Sequence, residues 1–202
     1  MMQTYDIYLV GVGGQGVLTI ADLITRTAFR KGIPVNYYPT KGMAQRGGFV
    51  KVQLRLGSSE VGPDISEGGA DLVISMERSE SLKAVRFLKT GGEFLLYDHR
   101  WNPAAVMLGK APYPDLATVW DEIAAVGGKV YALSDKDLPA YEGRPVRDNI
   151  YVLGSVLAQT KITDILPLKD MEETIAARWP KVTAVNAFTL EAGEKAPLLA
   201  HP

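Results

Sequence analysis

Hydrophobic and polar positions follow two rhythms along this chain. Tyr5 to Val10 ("YDIYLV") is a short apolar run rich in β-formers, which predicts a buried first strand. Beyond a glycine-rich stretch, Val17, Ile20, Ala21, Ile24 and Ala28 recur at helical spacing, and Gly32 after Arg30 and Lys31 is a normal helix stop. Ile33 to Tyr38 ("IPVNYY") reads as a second strand. This completes a β-loop-α-β unit, which predicts parallel strands. "FVKVQLRL" has a different rhythm: Val50, Val52, Leu54 and Leu56 alternate with Lys51, Gln53 and Arg55. Period-two alternation implies one wet face, so this strand is expected at or near an edge.

The later pattern continues the alternation of strands and helices. Ala70 to Met76 ("ADLVISM") is continuously apolar and predicts a buried strand. "SESLKAVRFLKTGG" predicts a helix ending at Gly91 and Gly92, followed by the strand "EFLLYD", the helix "LATVWDEIAAVGG" and the strand "KVYAL". Asn149 to Thr160 ("NIYVLGSVLAQT") reads as a largely apolar helix. Its Gly154 costs helix propensity, which points to close packing there. "LKDMEETIAARWP" is a later amphipathic helix, and Trp120 and Trp179, both on helical patterns, read as core. The expected fold is α/β: three Rossmann-like layers around a mostly parallel sheet, with one alternating edge-type strand. Residues 1–180 are expected to form the domain and 181–202 a C-terminal helix and tail, the last residues either loose or docked on a partner.

Composition narrows the function classes. With 202 residues, 47% of them hydrophobic, the chain suffices for one domain with a real core. A net charge of -1 gives no global field for nucleic acid or acidic membranes. The absence of cysteine excludes disulfides, a cysteine-type zinc site and an iron–sulfur cluster ligated by cysteines of this chain. Of the two histidines, His201 sits beside the C-terminus, which argues against a His-rich metal site. No apolar run reaches membrane-span length and no secretion signal is seen, so a cytoplasmic protein is expected.

The candidate chemistry lies in two loops. Gly11-Val12-Gly13-Gly14-Gln15-Gly16 satisfies G-x-G-x-x-G between a strand and a helix. Glycines let the backbone approach a ligand, and a helix N-terminus offers free N–H groups and a positive dipole end, so the loop suits a phosphate or carboxylate. The alternative is a tight turn without a ligand. NAD would require an acid near the end of the second strand. None occurs from Arg30 to Ser59, and Asp22 falls inside the helix. An NADP variant using Lys41 or Arg46 gains little from the neighbouring Tyr37-Tyr38-Pro39. The second loop, "PTKGMAQRGGFV", combines Lys41, Gln45 and Arg46 with Gly42, Gly47 and Gly48. It is either a phosphate or partner loop or a solvated turn.

Together, "GVGGQGVLTIADLI" and "KGMAQRGGFVKVQLRLG" resemble the gamma-type subunit of the 2-oxoacid:acceptor (pyruvate/ketoisovalerate/indolepyruvate ferredoxin) oxidoreductase family. The "GMAQRGG" form is most similar to the beta subunit of the indolepyruvate type. "GPDISEGGADLVISMERSESLKAVRFLKTGG", Tyr113-Pro114 and "DNIYVLGSVL" resemble its later landmarks, so that the likeness spans residues 5 to 178. The resemblance implies a hetero-oligomeric complex. It converts a 2-oxoacid, here an aryl one such as indolepyruvate or phenylglyoxylate, and coenzyme A to acyl-CoA, CO2 and reduced ferredoxin or another acceptor. Thiamine diphosphate and iron–sulfur clusters would reside in partner chains, consistent with the missing cysteines and the missing Gly-Asp-Gly thiamine signature. This chain alone would be inactive. It would hold coenzyme A, with Gly13, Gly14, Gln15 and Gly16 at the pyrophosphate and Lys41 on a phosphate. Gln45 and Arg46 would line the path to the thiamine-bearing chain. Asn149 would cap its helix and reach the ligand. Glu77, at a strand end, is either in the cleft or an unpaired surface acid, and Tyr97, His99 and Trp101 are candidate interface aromatics. The competing classes are a stand-alone NAD(P)-dependent dehydrogenase and a non-catalytic nucleotide-binding assembly module.

Overall fold

The computed structural model describes residues 4–41, 47–57, 62 and 64–202. The first apolar run forms β1 (Tyr5–Val12). The pattern behind it forms α1 (Val17–Arg30), whose predicted face of Val17, Ile20, Ala21, Ile24 and Ala28 is buried. The chain continues through β2 (Val35–Lys41), β3 (Phe49–Leu56), β4 (Ala70–Ser75), α2 (Arg78–Ala84), β5 (Leu88–Asp98), the short α3 (Ala104–Met107), α4 (Leu116–Ala125) and β6 (Lys129–Ser134). A small hairpin, β7 (Ala140–Tyr141) and β8 (Arg144–Pro145), leads into α5 (Asp148–Gln159), α6 (Leu168–Arg178), α7 (Thr183–Glu194) and β9 (Leu198–Leu199).

Among the described residues, the main sheet has seven strands in the order β2-β3-β1-β4-β5-β6-β9. Pairing is parallel at β1–β4, β4–β5 and β5–β6 and antiparallel at β2–β3, β3–β1 and β6–β9. The sheet is therefore mixed, which corrects the expectation of a mostly parallel, Rossmann-like sheet. The physical reason is connection length. Only residues 42–48 separate β2 from β3, too few for the crossover that parallel neighbours need, so the pair closes as an antiparallel hairpin. β2 still runs in the direction of β1, as a crossover through α1 requires, but β3 has taken the place beside β1.

β3 is accordingly not an edge strand; β2 is. The alternation in β3 is real, with Val50, Val52, Leu54 and Leu56 buried on one face. Its polar face is covered by protein instead of water. Gln53 donates to Asp64 Oδ1 at 2.9 Å and accepts from Ile65 N at 2.6 Å, and Arg55 forms a two-pronged pair with Asp6 at 3.0 and 2.8 Å. The helix predicted through Gly92 is also shorter than expected. α2 stops at Ala84, one turn of 3-10 helix follows, and Leu88 to Gly92 already belong to β5, across a register shift against β4.

Two cores flank the sheet. One packs α1, α5, α6 and α7 against Ile7, Leu9, Leu54, Ile74 and Leu95; the other packs α2 and α4 against Tyr8, Val10, Val73, Phe94 and Leu96. β1, β4 and β5 are buried on both faces, which is why their sequences read as unbroken apolar runs. The chain terminus returns to the body as β9 on the far edge of the sheet, where His201 meets Asp121 at 2.8 Å. No helix among the described residues is long and apolar enough to cross a membrane.

Candidate functional site

The glycine loop lies at the C-terminal end of β1, where a sheet of this kind offers its crevice. A Cβ on Gly11 would stand 2.8 Å from Val17 Cγ2 and 2.9 Å from Met76 Cβ, so the first glycine permits strand and helix to meet. Gly14 and Gly16 have φ of +109° and +80°, a region that L side chains rarely adopt. Gly16 is the N-cap of α1 and carries no side chain, so no side-chain acceptor serves the first-turn N–H groups. Two of the predicted ligand groups are engaged elsewhere. Gly13 donates its N–H to Gly48 O at 2.8 Å and accepts from Gly47 N at 3.2 Å, which laces the loop to the start of β3. The Gln15 amide accepts from Val12 N at 2.9 Å and donates to Met76 O at 2.7 Å, which clamps the loop to the end of β4.

The opposite wall is the N-terminus of α5. Its N-cap is Arg147, without a side-chain cap hydrogen bond. Asn149 is the second residue of the helix, not its cap, which corrects that expectation. Its side chain, only 8% exposed, covers Gly16. A Cβ on Gly16 would come within 2.3 Å of Asn149 Nδ2, and Asn149 Oδ1 has no hydrogen-bond partner among the described residues. Between loop and helix lies a cavity of about 690 Å³, lined by Gly13, Gly14, Gln15, Gly16, Thr19, His99, Trp101, Val146, Arg147, Asp148 and Asn149. Two helix N-termini without side-chain caps give this cavity an anion-attracting character, while the charged lining residues Arg147, whose guanidinium lies 5.5 Å over the Trp179 ring, and Asp148 offset each other.

The third wall comes from the end of β5. His99 Nδ1 lies 3.1 Å from Asp135 Oδ2, on the turn after β6. Tyr97, expected at an interface, is instead fully buried and reaches Asp148 Oδ2 at 3.3 Å. Burial, reinforced by Asp148, pushes its phenol well above the usual tyrosine range, so it remains a donor. Glu77 is neither a cleft acid nor a surface one. It is 0% exposed, caps α2 through Glu80 N at 2.8 Å, and accepts from Ser79 Oγ at 2.6 Å, from Trp101 N at 3.0 Å and from the Tyr113 hydroxyl. Burial and this carboxylate raise the Tyr113 phenol in the same way. Glu77 thus anchors both ends of the segment that carries Trp101 into the cavity wall.

Of the sequence-predicted residues, Gly13, Gly14, Gln15, Gly16 and Asn149 meet around one cavity. The Lys41 side chain, Gln45 and Arg46 lie outside the described residues. Sequence reasoning missed His99 as a cavity residue, and with it Arg147, Asp148 and Thr19. The usable signal was position: "YDHRW" follows a strand at its C-terminal end, and Arg147-Asp148 opens a helix. The cavity does not suit NAD, because β3 fills the place beside β1 where a dinucleotide fold sets the strand that holds the ribose. Among the described residues, no group of three or more His, Cys, Asp or Glu is arranged to hold a metal.

The sequence profile of the pyruvate ferredoxin/flavodoxin oxidoreductase family matches residues 6–196. The chain belongs to this family. Relatives include indolepyruvate oxidoreductase subunit IorB of Archaeoglobus fulgidus, 32% identical over 98% of this chain and 97% of the relative. The same-named subunit of Thermococcus kodakarensis is 34% identical over 96% of each. Among solved structures, a pyruvate oxidoreductase subunit from Thermotoga maritima superposes with a TM-score of 0.70 at 21% identity, covering 96% of this chain and 97% of that one. The 2-oxoglutarate:ferredoxin oxidoreductase of Magnetococcus marinus, solved with 2-oxoglutarate, coenzyme A and succinyl-CoA bound, gives a TM-score of 0.65 at 19% identity. There this chain corresponds to 30% of the other. At such identities the structures establish the shared fold. Within the family, this chain is an oxidoreductase subunit that has no cysteine for a cluster and builds a cavity from helix ends.

Proposed function

We propose that this chain is the coenzyme-A-side subunit of a cytoplasmic, thiamine-diphosphate-dependent 2-oxoacid:acceptor oxidoreductase. The complex decarboxylates an aryl 2-oxoacid such as indolepyruvate oxidatively and passes the acyl group to coenzyme A and electrons to ferredoxin or another acceptor. The carrying observation is the cavity in which the N-termini of α1 and α5 converge without side-chain caps, beside Arg147. Coenzyme A has a pyrophosphate and a ribose phosphate, and such a site serves them with backbone donors and cations. Gly14 and Gly16 bring the backbone to the pyrophosphate, while Gln15 and Gly13 hold the loop in shape. Thiamine diphosphate and the iron–sulfur clusters belong to partner subunits, since ligation of clusters by cysteine is impossible here. The names of the relatives support an aryl substrate, whose selection belongs to the thiamine-bearing chain.

The decisive test is affinity purification of the native chain, followed by assay with a panel of 2-oxoacids. A cysteine-rich, thiamine-containing partner and coenzyme-A-dependent oxidation of indolepyruvate or phenylpyruvate are expected; purification without such a partner overturns the assignment. Lys41 is assigned to a coenzyme A phosphate through the family resemblance, with Gln45 and Arg46 beside the thiamine-bearing chain. Lys41→Ala in the assembled complex is expected to weaken coenzyme A by about 1.5–3 kcal/mol, read as a rise in its KM. An unchanged coenzyme A requirement removes Lys41 from the site.

A further inference from the structure

We infer that His99 is a ligand-binding residue of the cavity, its imidazolium held by Asp135 and presented to an anionic phosphate or pyrophosphate oxygen. The inference rests on reading the cavity as an anion site. His99 and Asp135 come from the C-terminal ends of neighbouring parallel strands, β5 and β6, so the sheet itself sets their approach. With Nδ1 3.1 Å from the Asp135 carboxylate, Nε2 is the nitrogen left for a ligand, and His99 lines the cavity beside both helix N-termini. The Tyr97 ring stacks on the imidazole at 6.0 Å, and Arg78 N donates to His99 O at 3.1 Å, so ring and backbone are both fixed. Asn149, more than nine-tenths buried, closes the same cavity over Gly16.

Charges of both signs surround His99. Asp135 faces it from the turn after β6, and Tyr97 comes from its own strand. Arg78, from α2, is already paired with Asp98, while Arg147 and Asp148 come from α5. Asp135 offsets an imidazolium and Asp148 offsets Arg147, so a bound anion is held by directed bonds from His99 Nε2 and the first-turn N–H groups of α1 and α5, not by net charge. Binding and protonation are then linked. A phosphate that prefers the protonated ring raises the pH at which His99 loses its proton, and affinity falls as pH rises through that point.

The chain has only two histidines, so NMR of the imidazole protons reports His99 directly, with His201, at the sheet edge beside Asp121, as the internal control. The titration is recorded on the full chain alone, with inorganic pyrophosphate, and with coenzyme A. Both ligands are expected to move the His99 midpoint up by about one pH unit, equivalent to about tenfold tighter binding to the protonated ring, and to leave His201 in place. His99→Gln should weaken pyrophosphate about tenfold at low pH and little at high pH. Coenzyme A that binds without moving the midpoint overturns the role of His99 and leaves the coenzyme A reading standing. If pyrophosphate moves the midpoint while coenzyme A does not bind, His99 stands and that reading falls. Equal weakening by His99→Gln at all pH values makes the ring a neutral wall and overturns the proposal.

Discussion

Helix α5 meets a glycine at each of two places, and the two contacts are built differently. In its middle it crosses α7 with backbone against backbone. A Cβ on Gly154 would lie 2.1 Å from Leu190 O, and one on Gly193 would lie 1.9 Å from Tyr151 O. At its first turn, the side chain of Asn149 lies over Gly16 of the nucleotide-type loop. The first contact has no part that can move without separating two helices. The second ends in an amide that can swing. The rigid crossing fixes where α5 lies, and the adjustable contact is left at the mouth of the cavity, where a ligand has to enter.

The largest expected effect breaks the rigid contact. Gly193→Ala or Gly154→Ala should destabilise the protein by about 3 kcal/mol or more, because overpacking against backbone is relieved only by parting α5 from α7. Urea denaturation reads this as a lower midpoint. Gly16→Ala should cost less, about 1–2 kcal/mol, mostly for a non-glycine residue at φ +80°. It should reduce binding of an anion in the cavity by more than it reduces stability. Adding Asn149→Ala should recover the steric share of the Gly16→Ala loss and none of the backbone share. Equal destabilisation by Gly16→Ala and Gly193→Ala would erase the distinction between the two contacts.

The same pair explains what the sequence made legible. Gly16 stood out because strand, glycines and helix are contiguous, and the motif carries its own context. Gly154 was readable as close packing because it interrupts an apolar helix, but its counterpart Gly193 belongs to a helix far along the chain. β1, α1, β4 and α5 were readable from local periodicity. The place of β3 was not, since alternation reports one polar face without saying whether water, or Asp64 and Ile65, will cover it. The short link from β2 did hold the antiparallel answer. His99 and Arg147 escaped notice for a further reason: no local pattern joins them, and only the order of the strands brings them to one cavity.

The smallest expected effect sharpens the comparison from the margin of the rigid contact. Glu194 follows Gly193 directly, and its carboxyl lies above the usual range, first because of partial burial and then because of Glu172 and Glu191. An acid whose folded value is raised binds its proton more tightly in the folded state, so its ionisation opposes folding. Glu194→Gln should therefore stabilise the protein at neutral pH, by about 0.2–0.5 kcal/mol for relief of a like-charge pair on one helix. The sign sets the window. The gain is complete above the raised folded value and disappears as pH falls below the ordinary glutamate value of about 4.3. Urea midpoints of the two proteins near pH 7.5 and pH 4 check it, and a loss of stability at the higher pH would mean that Lys195, not the acids, dominates this corner. So small a response beside the large one expected of Gly193→Ala would place the strength of the α5–α7 crossing in its backbone contact and not in the charges around it.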